Sequence, residues 1–324
     1  GKTTKKKIIS RIDGYHGSTY MAMSITGVEF DHVGFDVDNQ MVHHISCPNP
    51  YRRTEGMSLE DFCDSKVAEL EDKILELGAD NVAAFFAEPI FGAGGVIVPP
   101  RGYHRKTQEV CNKYGVLYVS DEVVTGFGRL GHMFASKDEF DLQPDIITCA
   151  KGLTSGYLPL SATILSDDIY NVISIPQAKG ALFTHGFTYS GHPVSCAAGL
   201  KNIEIMEREN LCEHVNDVGD YFEKQLKTLE DLEIVGEVRG RKFMMCIENV
   251  ADKKTKSLIH EDAAVGGRIA DHCQKRGLIV RPLAHMNVLS PPLVMTRKEV
   301  DKLVAILRES IVETISDLYR DGYL

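Results

Sequence analysis

Three charged residues in this chain follow apolar segments that have the length and composition of buried strands. They are Glu88, Asp121 and Lys151, and each comes directly after such a segment. Because the carboxyl ends of neighbouring parallel strands lie at one edge of a sheet, we expect these three side chains to meet there. A charge in an ordinary loop is usually solvated, but a charge at the mouth of a buried core is costly unless it is paired. These residues are therefore candidates for a functional site.

A lysine amine beside a carboxylate at such an edge has a specific chemical meaning. A lysine held near a buried core can act as an amine nucleophile. Pyridoxal phosphate binds covalently to a lysine as a Schiff base, and a carboxylate partners its pyridine nitrogen. The pattern predicts Lys151 as the lysine and Asp121 as the carboxylate.

The elements that must position these residues alternate along the first part of the chain. Strand-like segments are predicted at 82–88, 116–120, 145–150 and 160–165. Helical segments separate them, including one that begins after Ser58 and one that begins at Pro193. Near-continuous apolar strands between helices predict an α/β fold, a three-layer large domain with a mostly parallel sheet.

The alternation of strand-like and helical segments changes beyond about residue 207. A charged helix leads to two strand-like runs, then to a helix and a third apolar run, and Thr296 with Glu299 forms a capping box before the last helix. We therefore predict a large domain over residues 1–207 and a smaller α+β domain over residues 208–324.

Composition excludes several function classes. The chain has 46 acidic and 36 basic residues, which gives a net charge of −10 and argues against a nucleic-acid partner. No uninterrupted apolar stretch of about 20 residues predicts a membrane span. The eight cysteines have wide, irregular spacings, which indicates reduced thiols in a cytoplasmic protein and no metal site.

The chain resembles the class III pyridoxal-phosphate aminotransferases, which include the ω-amino-acid transaminases and have the fold-type-I architecture. The resemblance covers nearly the whole chain in the family's order. Its motifs lie at residues 13–27, 87–100, 118–131, 144–162, 185–200 and 279–293.

The resemblance implies a role for each matching residue around the cofactor. Lys151 matches the Schiff-base lysine and Asp121 the partner of the pyridine nitrogen. Val123 and Tyr15 match residues that pack against the two faces of the cofactor ring, and His16 follows Tyr15 in the family's Tyr-His-Gly motif. Ordinary core packing is the competing interpretation for these three residues.

Three further residues match positions that bind the phosphate or the substrate. Thr188 matches a threonine that reaches the cofactor phosphate of the neighbouring subunit. Arg281 matches an arginine that binds the substrate carboxylate, and Glu88 matches a glutamate that is also close to the cofactor and pairs with that arginine when no carboxylate is bound. A local structural role is the competing interpretation for each.

The resemblance implies a homodimeric transaminase that moves an amino group from an ω-amino acid or amine to a keto acid such as pyruvate. A decarboxylase or mutase using the same cofactor, or a binding protein that keeps the fold, is the alternative. The family carries further residues before the point where this chain begins, so we expect the large domain to be N-terminally incomplete. Lys242 stands where the family often has glycine.

Residues 126–131 match the G-x-G-x-x-G fingerprint of dinucleotide-binding proteins. That fingerprint requires its first glycine at a strand end and a helix that begins in the loop. Here five residues, starting with Asp121, separate the strand from Gly126, and the following segment has no helical apolar stripe. An NAD-dependent dehydrogenase is therefore disfavoured.

Overall fold

A computed structural model describes residues 2–175 and 183–324 of the chain. The chain forms two compact units. The first contains Gly1–Gly94, Pro99–Phe127 and His132–Glu209, and the second contains Gly95–Val98, Gly128–Gly131 and Asn210–Leu324.

A six-stranded sheet forms the centre of the first unit. Its strands are β1 (Lys7–Arg11), β2 (Val42–Ile45), β3 (Val82–Ala87), β4 (Leu117–Asp121), β5 (Ile146–Cys149) and β6 (Ala162–Leu165). They lie in the order β2-β1-β3-β4-β5-β6. The first five are parallel, and β6 pairs antiparallel with β5. The carboxyl ends of the five parallel strands therefore share one edge.

Seven described helices belong to the first unit. They are α1 (Tyr20–Ile25), α2 (Glu29–His32), α3 (Leu59–Leu77), α4 (Tyr103–Tyr114), α5 (Ala135–Phe140), α6 (Asp167–Ile173) and α7 (Pro193–Arg208). The apolar stripe of α3, which includes Leu70 and Ile74, packs with strand residues such as Phe85 in one buried core. Burial of such side chains contributes about 1.5–3 kcal/mol each, so this core fixes the strands whose ends carry the charged residues.

The second unit is built on a separate antiparallel sheet. Its strands are β7 (Val235–Arg241), β8 (Met244–Asn249), β9 (Arg281–Leu283) and β10 (Met286–Leu289), in the order β7-β8-β10-β9. Its helices are α8 (Leu211–Lys227), α9 (Val265–Lys275) and α10 (Arg297–Asp321). Phe222 of α8 and Phe243 meet edge to face in its core, with ring centroids 6.0 Å apart.

The predicted fold class, a mostly parallel α/β sheet with a smaller α+β part, is confirmed. The cap predictions also hold, because the Ser58 hydroxyl accepts the Asp61 N–H, and Thr296 and Glu299 form the reciprocal capping box. The short segments Gly95–Val98 and Gly128–Gly131, which belong to the second unit, were not predicted. Their sequences show no change in apolar periodicity that would indicate it.

Candidate active site

The ends of β3, β4 and β5 bring the predicted charged residues to one edge of the first unit's sheet. Ala87 pairs with Ser120 and Asp121 pairs with Thr148 across neighbouring parallel strands. Glu88 is thus one residue beyond β3 at the level of Asp121, and Lys151 lies two residues beyond the end of β5. Strand registry alone produces the arrangement that the sequence predicts.

Asp121 is a buried carboxylate, with 8% of its surface exposed. Its Oδ2 accepts a hydrogen bond from His16 Nδ1 at 2.8 Å, and its Oδ1 accepts the backbone N–H of Val123 at 3.1 Å. In the described part of the chain, no lysine or arginine forms an ion pair with it. The carboxylate is therefore held in a fixed orientation without neutralisation by a permanent cation.

Lys151 begins a short 3-10 turn, Lys151–Thr154, two residues after the end of β5. Its backbone lies in the left-handed region with φ 39°, which costs a non-glycine residue about 1–2 kcal/mol. Within residues 2–175 and 183–324, its amine has neither a hydrogen bond nor an ion pair. The carbonyl of the next residue, Gly152, accepts a hydrogen bond from Asn202 Nδ2 at 2.8 Å. A strained turn thus presents an unpartnered amine.

Glycine is required at position 152 because of close packing. A Cβ atom there would lie 2.9 Å from the Cβ of Phe127, closer than side-chain carbons approach. The turn that carries Lys151 therefore packs directly on the loop that follows Asp121 and Val123. This contact ties the lysine and the carboxylate to one another through the main chain.

Glu88 is more deeply buried than Asp121, with 4% of its surface exposed. Its Oε1 accepts the backbone N–H of Tyr15 at 3.0 Å, and its Oε2 accepts that of Gly92 at 2.7 Å. Burial raises the pKa of the Glu88 carboxyl, and the nearby Asp121 charge also raises it, whereas His16 and the two N–H groups oppose the rise.

Tyr15 and His16 lie in the turn that follows β1. The His16 N–H donates to Thr26 Oγ1 at 2.8 Å, and its ring meets that of Phe86 edge-on at 5.9 Å. The Tyr15 hydroxyl hydrogen-bonds with Ser18 Oγ at 3.1 Å. The structure therefore gathers Glu88, Asp121, Val123, Tyr15 and His16 into one connected cluster, with Lys151 on the adjoining strand end.

Thr188 and Arg281 are not part of this cluster's described contacts. Thr188 is exposed in a turn where the Phe187 N–H donates to Ser190 Oγ at 3.1 Å. Arg281 is the exposed first residue of β9 in the second unit. Within the described ranges, neither side chain makes a hydrogen bond or an ion pair.

The glycine-rich segment 126–131 does not have the dinucleotide-binding arrangement. It consists of turns, and the next described helix, α5, begins only at Ala135. Its Arg129 is half-buried and donates to the carbonyls of Phe243 and Pro291 at 3.0 and 2.5 Å. Burial lowers the pKa of Arg129 to about 10. These two hydrogen bonds hold Gly128–Gly131 within the second unit.

Sequence reasoning missed two buried charged residues at the ends of the strands. Arg11 is fully buried at the end of β1 and donates from Nη2 to the Glu88 carbonyl at 2.7 Å. Glu122 is also buried and accepts the N–H groups of Ala135 and Ser136, both at 2.8 Å. Only the apolar flanks of Glu122 give a sequence signal, and for Arg11 there is none.

Two features of the described residues bear on other function classes. No helix among them has the length and apolar character that crossing a bilayer demands. Across residues 2–175 and 183–324, no group of three or more His, Cys, Asp or Glu side chains could hold a metal ion.

Comparison with known proteins extends the observations at the strand ends. An uncharacterised aminotransferase of Sinorhizobium fredii is 43% identical over 99% of this chain and 70% of its own length. A probable γ-aminobutyrate transaminase of Oryza sativa subsp. japonica is 41% identical over 97% of this chain and 65% of its own. The chain spans 61–70% of the length of such curated relatives.

Solved structures that resemble this chain are also transaminases. The ω-transaminase of Pseudomonas jessenii in complex with PMP is 40% identical and superposes with a TM-score of 0.93, covering 98% of this chain and 70% of that one. Class III aminotransferases use pyridoxal phosphate. The family model described as Aminotransferase class-III matches residues 1–311. The chain therefore belongs to the class III aminotransferase family.

Proposed function

We propose that this protein is a pyridoxal-phosphate-dependent transaminase that moves an amino group from an ω-amino acid or amine to a keto acid such as pyruvate. One observation carries the proposal. An unpartnered lysine amine and a buried, oriented carboxylate lie at the ends of neighbouring parallel strands. A cofactor that bonds covalently to an amine and carries a basic ring nitrogen requires both the amine and the carboxylate.

The residues present fit that cofactor. Asp121 offers a buried negative charge that is not neutralised by lysine or arginine in the described part of the chain, which suits a protonated ring nitrogen. Lys151 has no competing ion-pair partner among the described residues. Val123, joined to Asp121 by its N–H, and Tyr15, which lies beside His16, are suited to pack against a flat ring.

The mechanism assigns separate tasks to these side chains. When bound, pyridoxal phosphate supplies an electron sink for the carbon next to the substrate amine. Asp121 would hold its charge against the ring nitrogen, and His16 keeps that carboxylate oriented through Nδ1. Lys151 would hold the cofactor through its amine and, when that amine is free, would take up and return the proton of the carbon next to the substrate amine.

The substrate classes follow from the relatives' names and from Arg281. Several relatives are named γ-aminobutyrate transaminases, and one solved structure is titled a transaminase with L-ala. Alanine is the amino partner of pyruvate, which supports a keto acid acceptor of this kind. A guanidinium binds a carboxylate through two parallel hydrogen bonds, and we assign this role to Arg281, whose side chain is exposed at the start of β9.

We further propose a homodimer in which Thr188 completes the phosphate site of the neighbouring subunit. Large apolar side chains close to Thr188 in sequence are exposed, including Phe187 at 77% and Tyr189 at 79%. Tyr157 and Leu200 are also exposed. Contiguous exposed apolar surface marks interaction sites, so this segment suits contact with a second copy.

We place the protein in the cytoplasm because its eight cysteines are all free thiols and five of them are buried. Several relatives are named mitochondrial, and a matrix location is the competing assignment. Cell fractionation with the native N-terminus intact would separate the two.

The direct test of the activity uses 4-aminobutyrate and pyruvate as a donor and acceptor pair. We expect alanine to form from pyruvate in the presence of pyridoxal phosphate, and the Lys151→Ala variant to form none. Release of carbon dioxide without alanine would instead support the decarboxylase alternative. A panel of amines and other ω-amino acids would then rank the donors.

A further inference from the structure

The carboxylate of Glu88 accepts hydrogen bonds from the protein's own main chain. Both oxygens accept backbone N–H groups, from Tyr15 at 3.0 Å and from Gly92 at 2.7 Å. The Glu88 carbonyl in turn accepts Arg11 Nη2 at 2.7 Å. Glu88 is therefore held at three points, its two carboxyl oxygens and its own backbone carbonyl.

His16, which follows Tyr15, connects the hydrogen bonds of Glu88 to Asp121. His16 donates from its backbone N–H to Thr26 Oγ1 and from ring Nδ1 to Asp121 Oδ2, both at 2.8 Å. The other Asp121 oxygen accepts the N–H of Val123. The placement of the imidazole against the carboxylate therefore depends on where Glu88 and Thr26 hold the turn.

The turn that carries Tyr15 and His16 has little space in which to move. A Cβ atom on Gly14 would lie 3.3 Å from His16 Nε2 and 3.8 Å from Glu88 Oε1, so both groups face the same small space. A Cβ atom on Gly27 would lie 2.1 Å from the Arg11 carbonyl oxygen. Close packing of this kind transmits a displacement of Glu88 directly to the imidazole.

We propose that Glu88 is a positioning residue, which sets the Tyr15–His16 turn against Asp121 through backbone N–H groups. The inference rests on the proposed function for the importance of Asp121, but the geometry that it describes exists without cofactor. This task is separate from pairing with the substrate arginine, since a carboxylate oxygen that accepts one N–H group still has a free lone pair.

A second buried carboxylate provides a matched control. Glu122, on the next strand end, also accepts two backbone N–H groups, from Ala135 and Ser136 at 2.8 Å. Those donors belong to the start of α5 and have no hydrogen bond to His16. Replacing either glutamate with glutamine keeps the shape, removes the charge and sets an amide NH₂ against a backbone N–H.

The experiment compares Glu88→Gln with Glu122→Gln in three measurements. The first is the melting temperature of the cofactor-free protein, which both variants should lower. The second is the NMR resonance of the proton on His16 Nδ1 without cofactor, assigned by its loss in His16→Gln. The third is the Kd for pyridoxal phosphate.

We expect only Glu88→Gln to shift or broaden the His16 resonance and to weaken pyridoxal phosphate binding, by about tenfold, which corresponds to about 1.4 kcal/mol. Glu122→Gln should leave both values at the wild-type level. Equal behaviour of the two variants in these measurements would overturn the inference, because a general loss of stability would then explain Glu88.

Two outcomes need separate treatment. If the wild-type protein takes up no pyridoxal phosphate at Lys151, the proposed function fails, and the His16 resonance still decides the positioning role. If Glu88→Gln does not fold, hydrogen exchange of the wild-type amides decides it. Slow exchange of the Tyr15 and Gly92 N–H groups supports the positioning role of Glu88, and fast exchange contradicts it.

Discussion

Two regions of the molecule carry predicted site residues, and they differ in how those residues are held. At the strand ends of the first unit, Asp121 and Glu88 are buried, and each carboxylate oxygen has a defined donor. Outside that cluster, Thr188 and Arg281 are each exposed, and within the described ranges neither side chain makes a hydrogen bond. The strand-end region is organised before any ligand arrives, whereas each of these exposed residues must gain its partner on binding.

This difference predicts which substitutions affect chemistry and which affect binding. A preorganised buried charge acts on the reacting group without reorganisation, so its loss should lower the rate of the chemical step. An exposed side chain that finds its partner only in the complex should change affinity, with little effect on the fold.

The largest effect should come from Asp121→Asn in the buried region. Asparagine keeps the shape but removes the negative charge that holds the ring nitrogen protonated. We expect the amine half-reaction to slow by on the order of 100-fold or more while the protein still folds. Stopped-flow absorbance measures the rate and circular dichroism the fold; a wild-type rate would count against the role.

Arg281→Ala should produce the next largest effect, and only on substrates with a carboxylate at the binding position. Losing one partner of a charged pair in the complex costs about 2–5 kcal/mol, seen as a lower kcat/KM for pyruvate. An amine without a carboxylate serves as the control in the other half-reaction. Equal losses for both substrates would make Arg281 a structural residue.

Thr188→Val should have a smaller effect that depends on assembly. One hydroxyl hydrogen bond to a charged phosphate is worth about 1.5–3 kcal/mol, so pyridoxal phosphate affinity should fall by roughly tenfold or more in the dimer. Dilution to monomer, followed by analytical ultracentrifugation, should remove the difference from wild type. A monomer that binds the cofactor as tightly as the dimer contradicts the shared site.

A position outside both regions should give the smallest effect and the opposite sign. Lys242 lies in the turn between β7 and β8 with φ 51°, where glycine avoids a cost of about 1–2 kcal/mol. Its ion pair with the largely exposed Asp220 contributes at most about 1 kcal/mol.

Lys242→Gly should therefore stabilise the protein by about 0.5 kcal/mol without changing kcat. Lys242→Ala keeps the strained backbone and loses the ion pair, so it should destabilise. Urea unfolding measures both variants. Destabilisation by glycine would show that the ion pair outweighs the strain.

The sequence was sufficient to predict the sheet and the strand ends, because both follow from local patterns. Apolar runs ended at Asp121 and Lys151 within one or two residues of the observed strand ends. The partners of Glu88 were not predictable in this way. Tyr15 lies 73 residues away in sequence, and its contact is a backbone N–H, which leaves no trace in residue type.

Arg11 is a second residue whose surroundings could not be predicted from the sequence. A charged residue at the end of a short strand predicts exposure on statistical grounds, yet Arg11 is fully buried with its guanidinium 4.0 Å from the centre of the Phe91 ring. Only the folded arrangement of β1 and β3 brings the aromatic ring and the Glu88 carbonyl to it. Long-range partners of this kind require the structure.

The central claim is that the Lys151 amine forms the covalent bond to pyridoxal phosphate. The protein is incubated with pyridoxal phosphate, reduced with borohydride and digested, and the peptides are analysed by mass spectrometry. The account predicts one pyridoxyl group, on Lys151, and no such label in Lys151→Ala. A label on another lysine, or equal labelling of wild type and variant, would contradict it.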